Sequence, residues 1–100
     1  MTSAHIAFST LVDGKPQKIS LGEKDVCVAR IGEEVFAVAD TCTHSDASLS
    51  EGDVSNYKIE CWLHGAEFDL RTGEALTLPA NIPLETYAVS IDGNAVTVEI

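Results

Sequence analysis

Four of the chain's six cysteines and histidines fall in two short brackets, Cys42-Thr43-His44 and Cys61-Trp62-Leu63-His64. Two cysteines and two histidines could form a structural zinc site or hold an inorganic cluster. A structural zinc site commonly pairs like ligands, C-x2-C with H-x3-H. Here each arm mixes one thiolate with one imidazole, at C-x-H and C-x2-H. The mixture makes sense for two metal atoms. If Cys42 and Cys61 bind one iron and His44 and His64 the other, each arm straddles a two-iron, two-sulfide core. A zinc-stabilised binding module is the alternative from a different class.

The elements that must position these ligands are strands. Asp13-Gly14 and Asp92-Gly93 are turn dipeptides, and Gly22, Gly32 and Gly73 punctuate other short segments. Tyr87, Val89 and Ile91 alternate with small or polar residues, and so do Val96, Val98 and Ile100 after the Asp92-Gly93-Asn94 turn, which predicts a hairpin with one buried face. Residues 26–31 (VCVARI) and 35–39 (VFAVA) are apolar on both faces around Gly32 and predict a more central hairpin. Residues 17–21 (QKISL), 57–60 (YKIE) and 67–70 (EFDL) are further short strands, and Pro79 and Pro83 mark a loop before the last hairpin. No run carries a helical period beyond about two turns. The fold class is therefore all-β, an antiparallel sandwich or open barrel, with both ligand brackets on loops at strand ends. Gly52 and Gly65 are expected to let the backbone curl close to the centre and aim amide N–H groups at it.

Bulk composition sets limits. One hundred residues make a single domain over 1–100, with the ligand region at about 40–70. Sixteen acidic against six basic residues give a formal charge of −10, which argues against nucleic acid and anionic membrane and favours a basic protein partner. There is no basic, apolar leader pattern and no apolar stretch near ~20 residues, so neither signal peptide nor membrane span is expected. Three cysteines do not make a secreted disulfide framework, and a cytoplasmic setting, where thiolates persist to bind metal, is the expectation.

The pattern C-T-H-x16-C-x2-H, followed by Gly65 and "FDLRTGEAL" and closed by "IDGNAVTVEI", resembles the Rieske [2Fe–2S] family over essentially the whole chain. The resemblance implies a Rieske-type β fold with a cluster-binding subdomain built from two loops, and a [2Fe–2S] cluster held by Cys42, His44, Cys61 and His64. Its short, acidic form is similar to the soluble ferredoxins of bacterial oxygenases. The resemblance implies a mobile monomer that moves single electrons from a flavoprotein NAD(P)H reductase to a terminal oxygenase and makes no bond in a substrate. A general ferredoxin, for example in iron–sulfur assembly, and a Rieske-like small subunit of nitrite reductase are variants of the same reading. High-potential relatives carry a disulfide beside the cluster and two hydroxyl donors to its sulfur atoms. The matching positions here are Ala47 and Leu63, and Ala66 and Phe68. Exchange of two thiolates for neutral imidazoles raises the potential into the range of roughly −150 to +300 mV, and the missing donors place this chain at the low end.

The remaining candidates have plainer roles. Cys27, inside VCVAR, is a small core residue, His5 has no assigned role, and Trp62 either gates electron entry or, the plainer reading, shields the centre from water or packs on a loop. Asp46, Glu51, Asp53, Glu60, Glu67 and Asp69 crowd the ligand arms, either as a solvated rim or as a docking face.

Overall fold

The computed structural model describes residues 3–21, 24–42, 47–62, 65–77 and 82–99. The strands are β1 (Ser3–Ala7), β2 (Pro16–Leu21), β3 (Lys24–Ile31), β4 (Glu34–Ala39), β5 (Asp53–Ser55), β6 (Lys58–Glu60), β7 (Glu67–Asp69), β8 (Thr86–Asp92) and β9 (Ala95–Glu99). The helical segments among the described residues are single 3-10 turns at Phe8–Thr10 and Leu49–Glu51, so the all-β expectation holds. Six strands pair in the order β1-β9-β8-β4-β3-β2, and β5-β6-β7 form a smaller sheet. Every ladder is antiparallel.

The double-sided apolarity of β3 and β4 has a direct structural cause. Val26 and Val28 of β3, with Val35 and Ala37 of β4, join Leu11, Leu21, Val96 and Val98 in one core. The alternate residues Cys27, Ala29 and Val38 join a second core with Cys42, Leu49, Ile59, Cys61 and Phe68. Register keeps the sets apart: Cys27 pairs with Val38 and Ala29 with Phe36, while Val28 pairs with Ala37. Successive strand residues point to opposite faces, so two strands form one wall shared by two cores.

The small sheet is one-sided. Val54 pairs with Ile59, Ile59 with Phe68, and Phe68 bridges Ala75, which makes an apolar row facing the second core. Ile59 and Phe68 are wholly buried. A buried side chain of this size contributes about 1.5–3 kcal/mol by transfer from water, so the row is enough to hold three very short strands in place.

The last hairpin forms as expected, although Asp92 pairs with Ala95 and leaves only Gly93-Asn94 in the turn. Pro83 lies in the connection between β7 and β8. Pro79 and Ile100 lie outside the described residues. Two strands escaped the pattern reading. β1 pairs with β9 from the other end of the sequence, Ser3 opposite Glu99, and gives only Ala4 and Ile6 to its core. β5 is three residues long, too short to show a period. Tyr57, read as part of a strand, sits in the β5–β6 turn. No helix among the described residues is long and apolar enough to cross a membrane.

Gly52 joins the Leu49–Glu51 turn to β5. A Cβ there would lie 1.8 Å from the carbonyl oxygen of Glu60, a backbone atom that cannot swing away. Gly52→Ala is therefore expected to force the turn off β6 and cost about 1–3 kcal/mol, each kcal/mol lowering the Tm by roughly 4–8 °C. Gly93→Ala, with open space around the new methyl but a φ of +62°, carries only the left-handed backbone cost of about 1 kcal/mol and separates that cost from the clash in the same thermal melts.

Candidate metal centre

Each cysteine bracket is the end of a two-stranded ladder. Thr41 bridges Ser48, and one step further the Cys42 N–H donates to the Ala47 carbonyl at 3.0 Å. Glu60 pairs with Glu67, and one step further the Cys61 N–H donates to the Ala66 carbonyl at 2.7 Å. The chain thus enters both loops through a cysteine, leaves both through an alanine, and closes both with the same backbone bond. In the sequence, residues 43–46 and 62–65 lie between these closing pairs, with His44 second in one stretch and His64 third in the other.

Cys42 and Cys61 are both buried and belong to the same apolar cluster. The structure therefore places two cysteines that lie far apart in sequence in one buried core. His44 and His64, like Thr43, Ser45, Asp46 and Leu63, lie outside the described residues. Ala47 and Ala66, which accept the closing bonds from the cysteines, are small and buried in the same apolar cluster. Two soft sulfur donors in such surroundings suit a compact soft-metal centre gripped from both sides.

The first loop has a staple that sequence reasoning missed. Asp40 is almost wholly buried. Its carboxylate accepts hydrogen bonds from the Ser48 hydroxyl and from the Ser50 N–H, the latter at 2.9 Å, while its carbonyl accepts the Leu49 N–H at 2.7 Å. The residue just before Thr41-Cys42 thereby holds the residues just after Ala47. A buried carboxylate is tolerable only when its lone pairs are met in this way. The available signal was an acid ending the apolar run VFAVA, with serines eight and ten positions on.

Both glycine expectations need correction. The Gly52 N–H donates to the Leu49 carbonyl and the Gly65 N–H to the Cys61 carbonyl, each at 2.9 Å. Neither amide is aimed at a centre; both finish the local turn. Gly65 has a φ of +74°, which explains glycine there without any close approach. Trp62 is 53% exposed.

Cys27 behaves as a core residue. It is fully buried on β3, and burial pushes its thiol well above the ordinary range, with the charge of Asp40 adding to the effect. Such a thiol is inert. His5, on β1, bonds through Nδ1 to the Thr97 hydroxyl at 3.2 Å on the paired strand.

Known proteins place this arrangement. Residues 4–88 match the family described as the Rieske [2Fe–2S] domain. The chain is 41% identical over 90 residues, 90% of its length and 84% of the relative's, to the ferredoxin component of biphenyl 2,3-dioxygenase from Rhodococcus jostii strain RHA1. It superposes on the ferredoxin of carbazole 1,9a-dioxygenase from Nocardioides aromaticivorans IC177 with a TM-score of 0.93 and 33% identity, covering 98% of this chain and 97% of that one. A ferredoxin from a solved complex of reduced oxygenase and oxidised ferredoxin in carbazole 1,9a-dioxygenase gives a TM-score of 0.88 at 35% identity, over 93% of this chain and 96% of that one. The matched ligand hairpins, the two-sheet fold and these likenesses agree: the chain belongs to the Rieske [2Fe–2S] family, as an electron-carrying ferredoxin rather than an enzyme.

Proposed function

We propose that the chain is the ferredoxin component of a ring-hydroxylating oxygenase system, a monomeric cytoplasmic carrier that takes single electrons from a flavin-containing NAD(P)H reductase and passes them to a terminal oxygenase. The observation that carries this reading is the pair of alike hairpins that seat Cys42 and Cys61 in one apolar cluster. The relatives named as dioxygenase ferredoxins, one of them solved with its oxygenase, support the choice of partner.

The residues present fit a [2Fe–2S] group: two buried thiols lie in one apolar cluster, each in a sequence bracket that also carries a histidine. Cys42 and Cys61 would hold one iron and His44 and His64 the other. When bound, the cluster takes up and returns one electron. The chain's own contribution is to keep water from the sulfur side, with Leu49, Ile59, Phe68 and Leu84 all buried in the same cluster.

The small sheet also supports docking at the acidic rim. Asp53 pairs directly with Glu60, and Glu60 with Glu67, so three carboxylates line up across β5, β6 and β7 beside Cys61. Like charges directly opposite one another destabilise a sheet, and the described ion pairs involve none of the three. A basic partner surface would relieve that repulsion. Glu51 is exposed nearby, whereas Asp46 lies outside the described residues. Asp69 belongs to a different arrangement. The Arg71 backbone N–H reaches its carboxylate at 2.8 Å and is the main cause holding its pKa below the ordinary value.

Three outcomes are expected. Cys42→Ser and Cys61→Ser should each purify without iron and acid-labile sulfide, while Cys27→Ser keeps both and loses only stability; bleaching by Cys27→Ser alone would refute the ligand assignment. Electron transfer to the oxygenase at limiting protein should slow by about tenfold as salt rises and the Debye length shrinks to roughly 8 Å or less, and Glu60→Gln with Glu67→Gln should flatten that dependence. A rate indifferent to salt would leave the rim without a docking role. Voltammetry should place the wild type near the low end of the family range. Ala66→Ser and Phe68→Tyr, at two fully buried positions, should each raise the potential by about 40 mV, on the basis of about 1 kcal/mol of extra stabilisation of the reduced state per restored donor and about 59 mV per tenfold change for one electron.

A further inference from the structure

The β5–β6 hairpin turns through Asn56 and Tyr57, with Ser55 paired to Lys58. Both turn residues have positive φ, 49° and 61°. A two-residue hairpin of this kind demands left-handed backbone at both positions, which asparagine accepts and glycine prefers. A bulky tyrosine there is strained, and such strain persists only where surrounding contacts fix it.

Two of those contacts run to the large sheet and two to the end of β7 in the small sheet. The Tyr57 ring meets Phe36 of β4 edge-on, with centroids 5.8 Å apart and planes at 83°. Its hydroxyl donates to Glu34 Oε1, also on β4, at 2.8 Å. The Arg71 guanidinium lies over the ring, 4.9 Å from its centroid, and Arg71 is itself tied to Asp69 of β7. The Tyr57 carbonyl accepts the Leu70 N–H at 2.8 Å. One side chain thus joins β4, the start of β6 and the end of β7.

The two ligand loops hang on these same strands. β4 runs into Asp40 and Cys42, and β6 runs from Tyr57 into Cys61. At roughly 3.3 Å per residue, the latch and Cys61 are opposite ends of one short rigid strand. We propose that Tyr57 is a positioning residue, which sets how the second ligand loop faces the first by latching β6 to β4. The inference rests on the reading that the four ligands share one [2Fe–2S] cluster.

The test compares reduced-state EPR g-values and the half-time of cluster loss to a chelator. Tyr57→Gly suits the turn backbone and removes the latch, so it should fold yet shift the g-values and shorten the half-time about three- to tenfold. Tyr57→Phe keeps the ring and should stay within about twofold of wild type with unchanged g-values. Phe36→Leu, which removes the edge contact and leaves Tyr57 in place, should shift the g-values in the same direction, and combined with Tyr57→Gly should add little. Val98→Ala, in the core away from the ligand loops, controls for destabilisation and should leave the g-values unchanged. If the wild type shows no [2Fe–2S] signal, the ligand reading itself falls. If the wild type shows it and Tyr57→Gly matches either the wild type or Val98→Ala in both measurements, the latch alone is overturned.

Discussion

The pairing of β3 with β4 puts a layer two strands wide between two apolar cores, and the rest of the molecule is arranged around that layer. Because side chains alternate across a strand, a slip of one residue would send Cys27, Ala29 and Val38 into the wrong core and Val26, Val28 and Ala37 into the other. The register is therefore tightly specified. It also fixes where β4 ends, and with it the position from which Asp40 and Cys42 leave the sheet.

From that exit the design is repetitive. Two hairpins of different origin, one leaving the large sheet and one built within the small sheet, converge on the same closure, cysteine N–H to alanine carbonyl. What differs is how each is braced. The first is held by a buried carboxylate that gathers Ser48, Leu49 and Ser50 around one residue. The second is held by an apolar row, Val54–Ile59–Phe68–Ala75, pressed onto the wall. Polar satisfaction and hydrophobic burial here solve the same geometric problem on opposite sides of one site.

Much of this was legible in the residues. The ligand pattern identified the four candidates, and of these the structure places Cys42 and Cys61 in one buried cluster; His44 and His64 fall outside the described residues. The central and closing hairpins were visible because their apolar periods are long enough to count. β1 was hidden because its partner is β9, at the other end of the sequence. β5 was hidden by its length. Asp40 was passed over because a lone acid carries no period, and its meaning lies in the two serines that the fold returns to it. The glycines beside the loops were misassigned because glycine reports a backbone need without saying which: at Gly52 the need is room for the Glu60 carbonyl, and at Gly65 it is a left-handed turn.

The aligned carboxylates of Asp53, Glu60 and Glu67 have a consequence for the isolated protein. Their mutual repulsion is part of the native state, added to the self-repulsion of a chain with a formal charge of −10. Dissolved ions screen both. The solution conditions that make the unbound carrier sturdiest are thus the ones in which a cationic surface feels it least. Dilute buffer leaves the fold under tension and its acidic face most attractive, so durability and recruitment pull the working ionic strength in opposite directions.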